Sequence, residues 1–181
     1  MLFLLTVQDV VHRDKVIYIY QSQYSRMAYT VSKYLHTRED VEDAVQDTVE
    51  RLIRIIDRIE TDDPVRLKNL CCVVARNVAL NRVREGKANI LPLEEIFDTT
   101  DHATPTPEES AIENDILSRL ITAIDSLGDI YRDVCRLKYI NELKESEIAR
   151  LLDLPPKTVN QRIFRGRQML KNILMKENIN A

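Results

Sequence analysis

Basic and amide side chains are concentrated near the C-terminal end of this 181-residue chain. Residues 155–176 contain six basic side chains and no acidic one. Small and apolar residues recur there at spacings of four, three and four, which predicts a helix with one inward stripe: Val159, Ile163, Gly166 and Leu170. The other faces of that helix carry the side chains that can contact a nucleic acid: Lys157, Thr158, Asn160, Gln161, Arg162 and Arg165. Cations bind phosphates and amides hydrogen bond to base edges, so this combination is typical of a helix that reads the major groove of DNA.

A shorter helix is predicted immediately before this basic helix. Residues 144–152 carry an apolar face at helical spacing, and the sequence DLPP at residues 153–156 ends that helix. Pro156 suits the first turn of a new helix, where a missing N–H costs nothing. The two segments therefore predict a helix-turn-helix. From these residues alone, a solvated basic helix that packs through one apolar stripe remains the alternative.

The composition favours an all-α protein without catalytic or metal chemistry. The chain has only three glycines, and its six prolines lie between apolar-periodic runs or where one starts. The three cysteines form no CxxC pair and the three histidines are scattered, so we expect no metal and no cofactor. No glycine-rich phosphate loop or nucleophile–base pair is present, so we expect no enzyme. No apolar run is long enough to span a membrane, and the apolar start lacks a signal-peptide pattern, so we expect a cytoplasmic protein.

Charge is distributed in blocks along the chain, although the net charge is only −3. Residues 39–63 carry ten acidic and three basic side chains, whereas residues 64–87 carry six basic side chains and one acidic one. Residues 88–114 carry seven acidic side chains and no basic one. Because DNA affinity depends on local phosphate contacts, two basic helices separated by an acidic connector favour two separate DNA contacts.

Apolar periodicity predicts two helical domains. Residues 14–36, 39–60 and 64–84 each repeat apolar positions at helical spacing, and the three helices predict an N-terminal bundle within residues 1–86. Residues 87–106 lack such a period and are predicted to be an acidic linker. Residues 107–181 predict a C-terminal domain of four helices that contains the helix-turn-helix.

The order of these segments resembles a sigma-70 family RNA polymerase sigma factor of the small, two-domain, extracytoplasmic-function type. The sequence EDAVQD at residues 42–47 is similar to the family's core-binding helix, and VARNVALNRVR at residues 74–84 is similar to its promoter-binding helix. Residues 127–170 are similar to the family's C-terminal domain. By this resemblance, residues 1–86 are sigma region 2 and residues 107–181 are sigma region 4.

The resemblance implies a role for each cluster of residues in transcription initiation. The family's second helix binds core RNA polymerase, a role that would fall to Asp43, Gln46, Asp47, Glu50, Arg51 and Leu52. The third helix would bind the downstream promoter element through Arg76, Asn77, Asn81 and Arg84. The helix after Pro156 would read the upstream element, with Arg162 on phosphate and Arg165 on bases. The partners implied are core polymerase, promoter DNA and an anti-sigma factor that holds the chain inactive, without insertion into a membrane.

The sequence departs from the family pattern at several positions, and two other functions compete with the one that the resemblance implies. Residues 60–87 contain no aromatic side chain for stacking on unpaired bases, Asp153 replaces a turn glycine, and Gly166 replaces a helical alanine at a cost of about 1 kcal/mol. Asn77 can also brace the bundle instead of binding DNA. A helix-turn-helix regulator that does not partner polymerase is the main alternative function. A helical adaptor whose working surface is the acidic second helix is the other.

Overall fold

A computed structural model describes residues 10–86 and 113–179 of the chain. These residues form seven α-helices and no strand, which confirms the all-α class. The predicted acidic linker and the predicted start of the C-terminal domain at residues 107–112 lie outside the described residues. None of the described helices combines the length and the apolar character that a membrane span requires.

The described residues divide into two compact units. Residues 10–86 form the first unit together with residues 149–154, and residues 113–148 and 155–179 form the second. The domain boundaries expected after residues 86 and 106 fall at or beside the undescribed stretch, so they stay predictions.

The first unit is built on three long helices: α1 (Val10–Ser32), α2 (Arg38–Ile53) and α3 (Pro64–Arg84). A short 3-10 turn, Ile56–Arg58, follows α2, so the second helix ends earlier than its apolar period suggested. Each helix packs against the other two, which makes the bundle that the sequence predicted.

Side-chain caps fix where α2 and α3 begin. The Thr37 hydroxyl accepts a hydrogen bond from the backbone N–H of Asp40 at 3.1 Å. The Asp63 carboxylate accepts from the N–H groups of Val65 and Arg66, each at 2.9 Å, and Pro64 occupies the first turn. These contacts satisfy N–H groups that lack a partner within the helix, so both starts are encoded locally.

The C-terminal residues form α4 (Glu113–Asp125), α5 (Asp129–Cys135), α6 (Glu145–Leu152) and α7 (Pro156–Ile179). They make up the second unit, except that the last four residues of α6 and the two residues after it group with the first unit. These are the four C-terminal helices that the sequence predicted. A π-helical turn, Arg136–Ile140, extends α5. The Arg136 guanidinium donates to the Asp125 carboxylate from Nε at 3.0 Å, which ties this turn to the end of α4. Helix α5 packs against both α4 and α7.

The turn between α6 and α7 has the geometry that its residues suggested. Asp153 adopts a left-handed conformation with φ of 53°, and the next N–H, that of Leu154, bonds to the Ala149 carbonyl at 3.0 Å. This is the pattern of a Schellman helix end, where glycine is usual because it has no Cβ. Asp153 therefore stands at a position that the family's glycine would fill without strain.

Gly166 lies in α7 where that helix crosses α5. A Cβ added at position 166 would come within 3.0 Å of the Cys135 Sγ, and the Cys135 side chain is completely buried. The close approach of α5 and α7 thus depends on the missing side chain. This packing explains why a glycine is present within the helix, which its low helix propensity alone could not.

Candidate nucleic-acid and protein interfaces

Helix α7 presents one continuous exposed face of basic, amide and aromatic side chains. Because residues three and four positions apart share a helix face, five side chains line one shallow surface groove: Lys157, Asn160, Gln161, Phe164 and Arg165. All five are exposed. Val159 and Leu170 lie on the opposite side and are buried, so the helix separates a packing face from a polar face.

Thr158 and Arg162 flank this groove and are half-buried. Their position beside the packing face places them closer to the edges of the helix than Asn160 or Arg165. When a helix lies in the major groove of DNA, side chains at the edges of the helix can contact the DNA backbone, whereas side chains on its central face contact base edges.

Phe164 is the residue in this groove that the sequence reasoning missed. Its side chain is 56% exposed, although a phenylalanine ring is normally buried. It falls outside the inward stripe of Val159 and Leu170, and that offset is the signal that would have identified it. An exposed aromatic ring among base-reading side chains can contact the methyl group of thymine.

The candidate DNA-binding residues of α3 differ in how freely their side chains could contact DNA. Arg84 is exposed, whereas the Arg76 Nε donates to the Tyr34 hydroxyl at 3.1 Å. The Asn77 side-chain oxygen accepts from the Arg51 guanidinium at 3.2 Å. The Asn81 amide donates to the same oxygen at 3.5 Å. These bonds tie Asn77 to α2, which favours the bracing alternative for this residue.

The candidate polymerase-binding residues of α2 form a polar surface with two exceptions, Arg51 and Leu52. The Arg51 side chain is only 14% exposed, and its guanidinium donates to Asn77. Asp43 and Glu50 are exposed, and Gln46 and Asp47 are half-buried, with the Gln46 amide donating to the Glu50 carboxylate at 3.2 Å. Leu52 is only 1% exposed and belongs to the core. Its side chain offers no surface to a partner in this structure, so the expected contact of Leu52 with polymerase has no structural support here.

An arginine that the sequence reasoning did not single out connects α2 to α3. The Arg82 guanidinium donates two hydrogen bonds to the Asp47 carboxylate, from Nε at 3.0 Å and from Nη2 at 2.7 Å. Its Nη1 lies 3.8 Å from the Asp43 carboxylate. Counting basic residues along α3 could not distinguish Arg82, whose side chain turns toward α2, from the exposed Arg84.

Two of the three cysteines, Cys71 and Cys135, are buried thiols, whereas Cys72 is half-buried. Burial raises the pKa of the Cys135 thiol to about 11, and burial also raises the pKa of the Cys71 thiol. Neither thiol is therefore a ready nucleophile near neutral pH. Within residues 10–86 and 113–179, histidine, cysteine and acidic side chains form no cluster that could hold a metal ion.

Comparison with known proteins identifies both units. The family model of sigma-70 region 2 matches residues 19–88, and that of sigma-70 region 4 matches residues 117–170. The ECF RNA polymerase sigma factor SigE of Mycolicibacterium smegmatis is 29% identical over 164 residues, which cover 90% of this chain and 62% of that protein. SigW of Bacillus subtilis, also an ECF RNA polymerase sigma factor, is 27% identical over 168 residues, which cover 88% of this chain and 87% of that protein.

A solved structure of CnrH in complex with the cytosolic domain of CnrY aligns with a TM-score of 0.38 and 22% identity, covering 89% of this chain and 88% of that one. The two sigma-70 family models together span most of the chain, in the order that their region numbers give. The chain therefore belongs to the sigma-70 family of RNA polymerase sigma factors and is of the ECF type.

Proposed function

We propose that this chain directs transcription initiation by binding core RNA polymerase through α2 and promoter DNA through α3 and α7. The observation that carries the proposal is the exposed face of α7, which joins cationic, amide and aromatic side chains on one side of a helix-turn-helix. Such a face suits a DNA groove, and the sigma-70 relationship supplies the polymerase as the second partner.

The polymerase contact is assigned to the polar surface of α2, which we call the α2 face: Asp43, Gln46, Asp47, Glu50 and Arg51. The three carboxylates of this surface outnumber the two neighbouring cations, Arg51 and Arg82, so the surface keeps a net negative charge that fits a basic partner surface. The same negative charge would repel DNA phosphates, so α2 is not expected to bind DNA itself. Leu52 contributes by holding the helix in the bundle.

The upstream promoter element is assigned to the groove on α7. Arg165 and the amides of Asn160 and Gln161 would contact base edges, with Lys157 and Thr158 near the start of the helix. Arg162, at the edge of the helix, would bind phosphate. We expect Arg165→Ala to weaken binding only on some upstream sequences, and Arg162→Ala to weaken it on all sequences. Equal losses across sequences for both variants would contradict this division.

The downstream element is assigned to the exposed end of α3. Arg84 is the α3 candidate with an exposed side chain, and Arg76 would bind phosphate from its position beside Tyr34. Asn81 lies on the same helix, and its amide uses one N–H for the 3.5 Å bond to Asn77, so its second N–H and its oxygen could contact DNA. Asn77 itself would act mainly by bracing α2 against α3.

The mechanism proposed is recruitment in the cytoplasm, with the phosphodiester chemistry left to the polymerase. An anti-sigma protein that covers the α2 face or the α7 groove would hold the chain inactive.

The test is a pull-down of purified core polymerase by the full chain. Gln46→Ala combined with Asp47→Asn alters the α2 face and keeps the size of the aspartate. Arg38→Ala is the matched control, because Arg38 is an exposed residue of the same helix that pairs with Glu42 at 2.7 Å. We expect wild type and the control to bind and the double variant to bind weakly. DNA binding without polymerase binding would instead identify a stand-alone regulator.

A further inference from the structure

We propose that Arg82 is a positioning residue for polymerase binding, which holds Asp47 so that one carboxylate oxygen stays available to the polymerase. The proposal rests on the docking of polymerase on the α2 face. Arg82 lies on α3, the helix assigned to DNA, so it would link the two binding elements of the first unit.

The hydrogen bonds between the two side chains leave half of the carboxylate free. Both guanidinium donors, Nε and Nη2, bond to Oδ2 of Asp47. Among the described residues, no side chain donates a hydrogen bond to Oδ1. The Asp47 side chain is 43% exposed, whereas that of Arg82 is 19% exposed. The arginine is thus the inner member of the pair and the aspartate the outer one. A donor from a partner protein can reach Oδ1 without displacing Arg82.

The charge distribution on α2 explains why the aspartate needs such a support. Asp43 lies one turn before Asp47 on the same helix face, and Glu50 follows one turn later. Like charges three or four positions apart on a helix repel each other, which would spread these side chains over many conformations. Arg82 lies within 3.8 Å of the Asp43 carboxylate as well, so one cation offsets both charges. A carboxylate held in one conformation loses less entropy when it binds a partner.

The orientation of Arg82 separates it from the DNA-binding arginine of the same helix. Arg84 is exposed, but the Arg82 guanidinium is mostly covered and turned toward α2. Neutralising a phosphate would require Arg82 to leave both carboxylates. We therefore expect Arg82 to affect polymerase affinity rather than direct contact with DNA.

The experiment measures the affinity of the full chain for purified core polymerase in a double-mutant cycle. The variants are Arg82→Ala, Asp47→Asn and the combination of the two, with Arg82→Lys as the conservative replacement and Arg38→Ala as the control for loss of an exposed arginine. Thermal unfolding of each variant is recorded in parallel, and affinities are measured at a temperature where all of them are folded.

We expect Arg82→Ala to weaken binding roughly tenfold, which corresponds to about 1.4 kcal/mol. Arg82→Lys keeps the charge but loses the paired hydrogen bonds, so it should recover part of the affinity. In the Asp47→Asn background, removal of Arg82 should change the affinity much less, because there is no carboxylate left to position. A purely structural role would give the same loss in both backgrounds.

The outcomes distinguish this inference from the proposed function. If wild type does not bind core polymerase, the proposed function fails. A second outcome is that wild type binds and Asp47→Asn weakens binding, but Arg82→Ala has no effect. In that case the positioning role of Arg82 is overturned, while the assignment of the docking surface stands. Equal losses from Arg82→Ala in both backgrounds would also overturn it. If Arg82→Ala fails to fold, Arg82→Lys completes the same cycle.

Discussion

Replacement of Gly166 by alanine tests whether the crossing of α5 and α7 is set by the missing side chain. Helix propensity alone predicts that Gly166→Ala stabilises the chain by about 1 kcal/mol. The structure predicts the opposite sign, because the new methyl group would lie within 3.0 Å of a buried sulfur. Overpacking of a closed core costs about 1–3 kcal/mol, so we expect a net loss of about 1 kcal/mol.

A second substitution isolates the cause of that loss. Cys135→Ala removes the sulfur that the new methyl group meets, and alone it should destabilise the second unit by leaving a small cavity. In the double variant the methyl group at position 166 occupies the vacated space. We therefore expect the double variant to be more stable than either single variant, with a favourable coupling energy of about 1–2 kcal/mol.

Circular dichroism during thermal and urea unfolding is the suitable assay, since the chain has no tryptophan. For a unit of this size, a change of 1 kcal/mol moves the melting temperature by about 4–8 °C. Separate transitions for the two units would allow the effect to be assigned to the second one. If Gly166→Ala is as stable as wild type or more stable, the sulfur moves aside without cost and the argument from close packing fails.

Three further predictions concern single residues. Glu142 has a positive φ of 55°, so Glu142→Gly should raise the unfolding free energy by about 1 kcal/mol, and an unchanged value would show that this conformation carries no strain. Both buried thiols, Cys71 and Cys135, should be alkylated more slowly than the half-buried Cys72 at pH 8, which lies about 3 units below the raised pKa of Cys135. Mass spectrometry that shows Cys135 labelled first would contradict this. Phe164→Ala should weaken DNA binding and abolish sensitivity to replacement of a contacted thymine by uracil, whereas retained sensitivity would place the methyl contact elsewhere.

Local signals in the sequence were sufficient for the existence of the described helices and for some of their ends. Asp63 and Pro64 define the beginning of α3 through contacts within one turn, and Asp153 adopts the left-handed conformation expected at a helix end. Apolar spacing also located the packing face of α7, because burial of a helix face depends on a repeat that is visible in the chain.

Contacts between helices were not predictable in the same way. The bonds of Arg82 to Asp47 and of Arg51 to Asn77 join residues far apart in sequence, and they depend on how α2 lies against α3. Motif resemblance placed Leu52 on the polymerase-binding face, although its side chain points into the bundle. A motif records which positions recur together, but it does not state which of them face the solvent.

The separation of the two faces of α7 has a consequence for how promoter preference can change. Residues that line the groove are exposed, and residues that hold the helix in place lie on the other side. Asn160, Gln161 and Arg165 are exposed, and substitutions of exposed residues usually alter stability by less than about 0.5 kcal/mol. Single substitutions on this face should therefore change the preferred DNA sequence while the protein stays folded. This helix is thus a suitable place to engineer variants that recognise different promoters.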